Sequence, residues 1–132
     1  MNKFVKGYAD DAAVDIVLDD ILEINPGYQT IILPCKYTPG PNEVAFLLAR
    51  SSTAKKGIFP IPVAIDTGYE GIIHAFVVNT TDRKQVFMPG ERAFSIVNLV
   101  KGKDRVPFEV AKQGKRGSNW NNSSGGNENG TK

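Results

Sequence analysis

Residues 50–79 read RSSTAKKGIFPIPVAIDTGYEGIIHAFVVN, and this stretch decides the reading of the whole chain. Arg50 carries a planar fork of donors suited to phosphate oxygens, and Ser51 and Ser52 add two hydroxyls at short reach from the same backbone. Alone, such a triplet also suits a solvated loop. Downstream, residues 63–65 read as a buried strand, Thr67-Gly68 as turn chemistry, and residues 72–78 as the returning strand of a hairpin. Asp66 then stands at the hairpin tip, where a carboxylate either bonds its own turn or serves as a rigidly mounted general base. Tyr69 either packs over that turn or offers its ring to a substrate face.

Working outward, the rest of the chain shows the same short-strand rhythm. Residues 28–35, 44–48, 85–88, 93–100 and 106–110 are each rich in β-branched or aromatic residues and bounded by glycine, proline or asparagine. Residues 14–24 mix apolar and acidic positions and are read as a strand entering the Asn25-Pro26-Gly27 turn. Residues 53–57 have the best claim to a helical turn, ended by Gly57. Residues 58–65 carry Pro60 and Pro62, which suits an edge or bulged strand. The pattern predicts an all-β barrel or sandwich. A chain of 132 residues is one domain's worth and needs no covalent staple.

Several function classes fall away on composition. No apolar run approaches a membrane span and the N-terminus lacks a sustained apolar core, so the chain is expected to stay in the compartment where it is made, the cytoplasm, or a host's cytoplasm if the source is viral. Cys35 is the only cysteine, which excludes a disulfide framework and a cysteine-built zinc site and predicts a buried, inert thiol. His74 is the only histidine and, without companions, is a strand residue and not a metal ligand.

The net charge is +2, but it is unevenly placed. Residues 112–132 hold Lys112, Lys115, Arg116 and Lys132 against Glu128 alone, so the positive excess lies in the tail. That tail lacks the dense cation runs and repeated aromatics that direct nucleic-acid binding needs. An anionic small molecule is the better partner. From Gln113 onward Trp120 is the only large apolar residue, which divides the chain into a folded domain, residues 1–111, and a flexible tail, residues 112–132.

Five segments together resemble one family. Ala13-Val14-Asp15-Ile16, Ala49-Arg50-Ser51-Ser52, Ala64-Ile65-Asp66-Thr67-Gly68-Tyr69-Glu70-Gly71, Pro89-Gly90-Glu91-Arg92, and Lys115-Arg116-Gly117 with Ser123-Ser124-Gly125 resemble, in order and spacing, the five motifs of the trimeric dUTPase family. The resemblance implies a jelly-roll-like β-barrel, a homotrimer with sites between subunits, and hydrolysis of dUTP to dUMP and pyrophosphate with Mg²⁺ on the triphosphate. It implies Asp66 as the base for the attacking water and Tyr69 against the deoxyribose, excluding ribose. It gives phosphate contacts to Arg50, Ser51, Ser52, Ser95, Arg116, Ser123 and Ser124, and uracil selection to the backbone of Ala64, Ile65 and the region of His74. Asp15 would touch Mg²⁺ through water, and Trp120 would lie over uracil when the tail closes as a lid.

The chain also departs from that pattern. Ser95 stands where the fourth motif carries glutamine, Ala13 where the first carries glycine, and Asn121 where the fifth carries phenylalanine, with Trp120 one position earlier. Two other readings therefore stay open. One is a dUTPase-fold module that acts as a regulator on a partner protein. The other is the sister dCTP deaminases, whose chemistry needs a glutamate on the strand after the hairpin, where this chain has Phe76.

Overall fold

Residues 73–79, IHAFVVN, alternate strictly between buried and half-buried positions, the period of a pleated strand with one face in a core. The same rule, read along the computed structural model, which describes residues 3–112, builds ten strands and one short helix. In order these are β1 (Lys3–Val5), β2 (Ala13–Val17), β3 (Leu22–Ile24), β4 (Gly27–Leu33), β5 (Glu43–Ala49), α1 (Ser51–Lys55), β6 (Ile58–Pro60), β7 (Ala64–Ile65), β8 (Ile73–Asn79), β9 (Gln85–Phe87) and β10 (Phe94–Val100).

The ladders form three antiparallel sheets. Strands β1-β2-β10-β5-β7 make the largest, β4-β8-β6 the second, and β3-β9 a two-stranded third. All three contribute to one apolar core: Ile16 and Ile96 from the first, Ile31, Leu33, Ile58 and Val77 from the second, Ile24 and Phe87 from the third. The all-β, jelly-roll-like expectation holds. Cys35 is wholly buried in that core, and burial pushes its thiol up to about 11, so it is the inert thiol expected.

Polar locks hold the sheet corners. Asn79 ends β8 pointing inward and is 1% exposed. Its Nδ2 donates to the carbonyls of Ile24 (3.0 Å) and Arg83 (2.8 Å), and its Oδ1 accepts from the amide and hydroxyl of Thr81. A buried amide with all its partners ties β8 to the end of β3 and to the turn into β9. Thr53, also buried, donates its hydroxyl to the Ala93 carbonyl at 2.6 Å, which fastens α1 to the start of β10.

Residues 14–24 are not one strand but parts of two, β2 and β3, in different sheets, and residues 63–65, expected as a buried strand, are exposed at Val63 and Ala64. Four further expectations change. Residues 63–79 do not form a hairpin: β7 pairs with β5, through Ala45↔Ile65 and Phe46↔Ala64, while β8 pairs with β4 and β6. The cause lies in the turn between them. Residues 66–69 close on themselves, with the Tyr69 amide donating to the Asp66 carbonyl (3.1 Å) and Gly68 at φ +76°, a type II arrangement that only glycine adopts readily at that place. Gly68 N then donates to Pro39 O and the Thr38 hydroxyl to Tyr69 O, so the segment 38–39 fixes the turn as a corner between two sheets. Second, residues 58–65 are not one strand, since the prolines separate β6 from β7 into different sheets. Third, residues 106–110 form no strand: Val106, Phe108 and Val110 alternate as a strand would, yet are 69%, 66% and 69% exposed, because alternation marks extended chain and a strand also needs a partner. Fourth, the helical turn begins two residues early, at Ser51. The sequence reading missed β1, which is short and exposed along its length.

Candidate functional site

A cavity of about 330 Å³ opens between β7 and the first half of β8. Its wall includes Ala64, Ile65, Asp66, Tyr69, His74 and Phe76. Two stretches of backbone, each laddered on one side only, border it. Strand β7 is the edge of its sheet, so one row of its amides and carbonyls points outside the ladder. On β8, the β6 ladder reaches Asn79, Val78 and Val77, and one further bond from Ile61 N reaches Phe76 O at 2.6 Å. Residues 73–75 lie beyond that ladder, and their backbone on this side borders the cavity.

The turn that carries Asp66 is held rigidly. Tyr69 donates its hydroxyl to the Ile72 carbonyl at 2.8 Å, and His74 Nδ1 lies 2.9 Å from the same oxygen, which places the ring proton on Nδ1 because a carbonyl can only accept. Half-burial raises the Tyr69 hydroxyl above its ordinary pKa, so the ring is a neutral wall of the cavity at physiological pH. Asp66 itself is exposed on the cavity wall. Among the described residues it is the one carboxylate lining it.

The phosphate-type residues gather elsewhere, at one end of β2, β10 and β5. The register places Ser95 between Asp15 on β2 and Leu48 on β5. The Arg50 Nε lies 3.4 Å from Asp15 Oδ2, and the Arg92 Nη1 lies 3.3 Å from the same oxygen. Arg50 also donates from Nη1 to the Arg92 carbonyl at 3.0 Å. Short backbone bonds position the group: Leu18 N to Glu91 O, Gly90 N to Leu18 O, and Arg50 N to Ala93 O. Gly90, at φ +91°, provides the left-handed turn that brings Arg92 back over β2. Ser51 and Ser52 stand exposed in the first turn of α1, beside Arg50.

The structure thus groups the expected residues in two places. Ala64, Ile65, Asp66, Tyr69 and His74 line the cavity, while Arg50, Ser51, Ser52, Asp15 and Ser95 do not belong to its wall. Ser95 is only 6% exposed, on the face of β10 that it shares with Asp15 and Leu48 and opposite to the core residues Phe94 and Ile96. Arg116, Trp120, Ser123 and Ser124 lie outside the described residues. Arg92 joins the second group through its ion pair with Asp15. Register alone hints at it, since β2 and β10 are neighbours only once the fold is known. Among the described residues no group of three or more His, Cys, Asp or Glu side chains is placed to hold a metal ion, and no helix is long and apolar enough to cross a membrane.

Comparison with known proteins follows the same lines. The dUTPase family model matches residues 2–125. Among solved structures, the dUTPase from Streptococcus mutans superposes with a TM-score of 0.65 at 29% identity, over 78% of this chain and 88% of that one. EIAV dUTPase superposes at 0.67 with 22% identity, over 83% and 93%, a likeness of fold. The chain is also 33% identical over 103 residues to the dCTP deaminase of Pyrobaculum calidifontis. That match takes in 77% of this chain but 58% of the deaminase's length. With nearly its whole length matched by the family model, and with the same architecture as the solved members, this chain belongs to the dUTPase family.

Proposed function

We propose that the protein hydrolyses dUTP to dUMP and pyrophosphate, and the cavity between β7 and β8 is the observation that carries this reading. Its volume suits a nucleoside, and its flanks are backbone that can pair with one edge of a pyrimidine. Uracil presents an acceptor, a donor and an acceptor along that edge. Backbone amides and carbonyls on Ala64, Ile65 and the strand around His74 supply the complement without any charged side chain. Tyr69 offers a flat, neutral ring for the deoxyribose, where an added 2′-hydroxyl would crowd it.

Asp66 is the group that acts on water. A carboxylate on the cavity wall accepts a proton from a water aimed at the α-phosphorus, and the bond to the bridging oxygen breaks to release pyrophosphate. The protein contributes mainly position and positive charge, since displacement at phosphorus needs little covalent help. Arg50, Ser51 and Ser52 supply donors to the phosphate chain.

Because those donors are not part of the same cavity wall, a complete site would combine the cavity of one subunit with the cationic end of another in a homotrimer. Exposed apolar residues support such an assembly: Tyr28 on β4, Phe59 on β6 and Val63 beside β7 are costly to leave in water. Mg²⁺ would arrive on the triphosphate as part of the substrate. The described residues do not fit a directly ligated cation, since Asp15 already shares one oxygen between two guanidiniums, and contact from Asp15 would run through water.

Against a deaminase reading, Phe76 supports hydrolysis. It is one of the residues lining the cavity, where removing an amine would require a side chain able to shuttle protons. The deciding experiment offers dUTP, dCTP and dTTP to the full chain and follows pyrophosphate and ammonia. Pyrophosphate from dUTP in strong preference to the others is expected. Ammonia from dCTP, or no pyrophosphate at all, would remove the reading.

A further inference from the structure

We propose that the loop of residues 38–43 is the positioning element of the candidate base, and that the hydroxyls of Thr38 and Thr67 set where Asp66 stands in the cavity; this rests on the reading of Asp66 as the base in dUTP hydrolysis.

The turn is gripped from outside by that one loop. Thr38 donates its hydroxyl to the Tyr69 carbonyl at 2.8 Å, the Gly68 amide donates to the Pro39 carbonyl at 3.2 Å, and Thr67 donates its hydroxyl to the Glu43 carbonyl at 2.5 Å. Each of the three residues that follow Asp66 is therefore tied to the loop. The residue before it, Ile65, is laddered to Ala45 on β5. Asp66 stands between two fixed points, so its backbone is set from both sides although its side chain is exposed on the cavity wall.

The loop holds the turn because it is itself held. Gly40 N donates to Glu43 Oε1 at 2.7 Å and Glu43 N to the Gly40 carbonyl at 3.1 Å, which closes residues 40–43 on themselves. Pro39 is fully buried. Among the described residues Asn42 is the one non-glycine at positive φ, +62°, a conformation that asparagine adopts more readily than most residues. Its carbonyl accepts from the Lys101 amide at 2.9 Å, just past the Glu43↔Val100 pair. The loop thus hangs from β5 and β10, two strands of the largest sheet, and reaches across to the turn that leaves β7.

Positioning and mere tethering differ in what they predict. Thr38 is exposed, so water replaces its donor when the hydroxyl is removed and little folding stability depends on it. Orientation does depend on it. Water satisfies the Tyr69 carbonyl without fixing it in place, and a reacting group displaced by about 1 Å loses on the order of 10²-fold in rate. The Tyr69 ring is held separately, through its hydroxyl on the Ile72 carbonyl, so loosening the turn should spare binding and fall on the chemical step.

The test uses the full chain with Thr38→Val, Thr67→Val, the double variant and Thr38→Ser. Pyrophosphate release from dUTP gives kcat, calorimetric titration with a dUTP analogue carrying an imido bridge between the α- and β-phosphates gives affinity, and urea unfolding gives stability. NMR order parameters for the amides of residues 66–69 report the turn itself. Each valine variant should lose roughly 5- to 20-fold in kcat and the double variant roughly 100-fold, with analogue affinity kept within about threefold. Thr38→Ser keeps the donor and should return kcat to within about twofold of wild type. The order parameters should fall from about 0.85 in wild type toward about 0.6 in the double variant. A structural tether would instead lower the unfolding midpoint and leave kcat per folded molecule unchanged, and that result would overturn the proposal, as would a Thr38→Ser variant no better than Thr38→Val. The order parameters need no substrate. If wild type releases no pyrophosphate from dUTP, yet residues 66–69 loosen in the valine variants and tighten again in Thr38→Ser, the substrate reading falls and the positioning loop stands; normal dUTP turnover in every variant gives the reverse.

Discussion

Asp66→Asn keeps the shape of the turn residue but removes its ability to accept a proton from water. The backbone bond that closes residues 66–69 uses the Asp66 carbonyl and not its side chain, so the corner should survive. Pyrophosphate release is expected to fall by roughly 10²- to 10⁴-fold while the imido analogue still binds; turnover near wild type would remove Asp66 as the base. Cys35 yields a second residue-scale test. Its thiol ionises near 9.0 when free and is pushed up to about 11 in the fold, so the folded chain holds the proton through that window. Its contribution to stability is complete below pH 9 and is lost as pH rises to 11, about 2–3 kcal/mol at about 1.4 kcal/mol per unit. Urea unfolding at pH 8, 9.5 and 11 should show a steeper alkaline decline in wild type than in Cys35→Ala. At this scale the residue types were legible from the sequence. Their company was not: that Ser95 is covered beside Asp15 and Leu48, and that Asp15 pairs with Arg92, both depend on a long-range register.

Elements were legible where a local rule governs them and obscure where a distant partner does. The alternation of β8 and the punctuation around β4, β5 and β10 gave those strands within a few residues, and Gly57, at φ +84°, ends α1 as its position foretold. The expected hairpin failed because its turn is bound by Thr38 and Pro39, some thirty residues upstream in sequence, which no local pattern records. That failure matters for function, since separating β7 from β8 is what opens the cavity. Asn79 is the element-scale lock. Replacing it with alanine leaves the Ile24 and Arg83 carbonyls without its amide and empties a buried position, so Asn79→Ala should cost about 2–4 kcal/mol. Chemical denaturation would show it as a lower midpoint with little change in slope. A loss below about 0.5 kcal/mol would mean that the corner is held by the apolar contacts alone.

For the whole molecule, the division of the candidate site into two places leads to a test that single-chain variants cannot provide. Asp66 belongs to the β7–β8 cavity and Arg50 to the end of the β2-β10-β5 strands. If a working site takes its cavity from one subunit and its cationic end from the next, two separately inactive proteins can rescue each other. Asp66→Asn supplies intact Arg50, and Arg50→Gln supplies intact Asp66. Equal amounts, unfolded together and refolded so that subunits mix at random, would form trimers in which each interface has an even chance of an intact cavity and an independent even chance of an intact cationic partner. About a quarter of the sites would then be whole, and pyrophosphate release should recover to about that fraction of wild type. Each variant refolded alone supplies the baseline, and light scattering at micromolar concentration supplies the trimeric mass. Recovery to that level would show that the site is shared between subunits. Activity that stays at the baseline in verified mixed trimers would mean that Asp66 and Arg50 serve the same site from one chain, and a monomeric mass with activity intact would remove the shared site altogether.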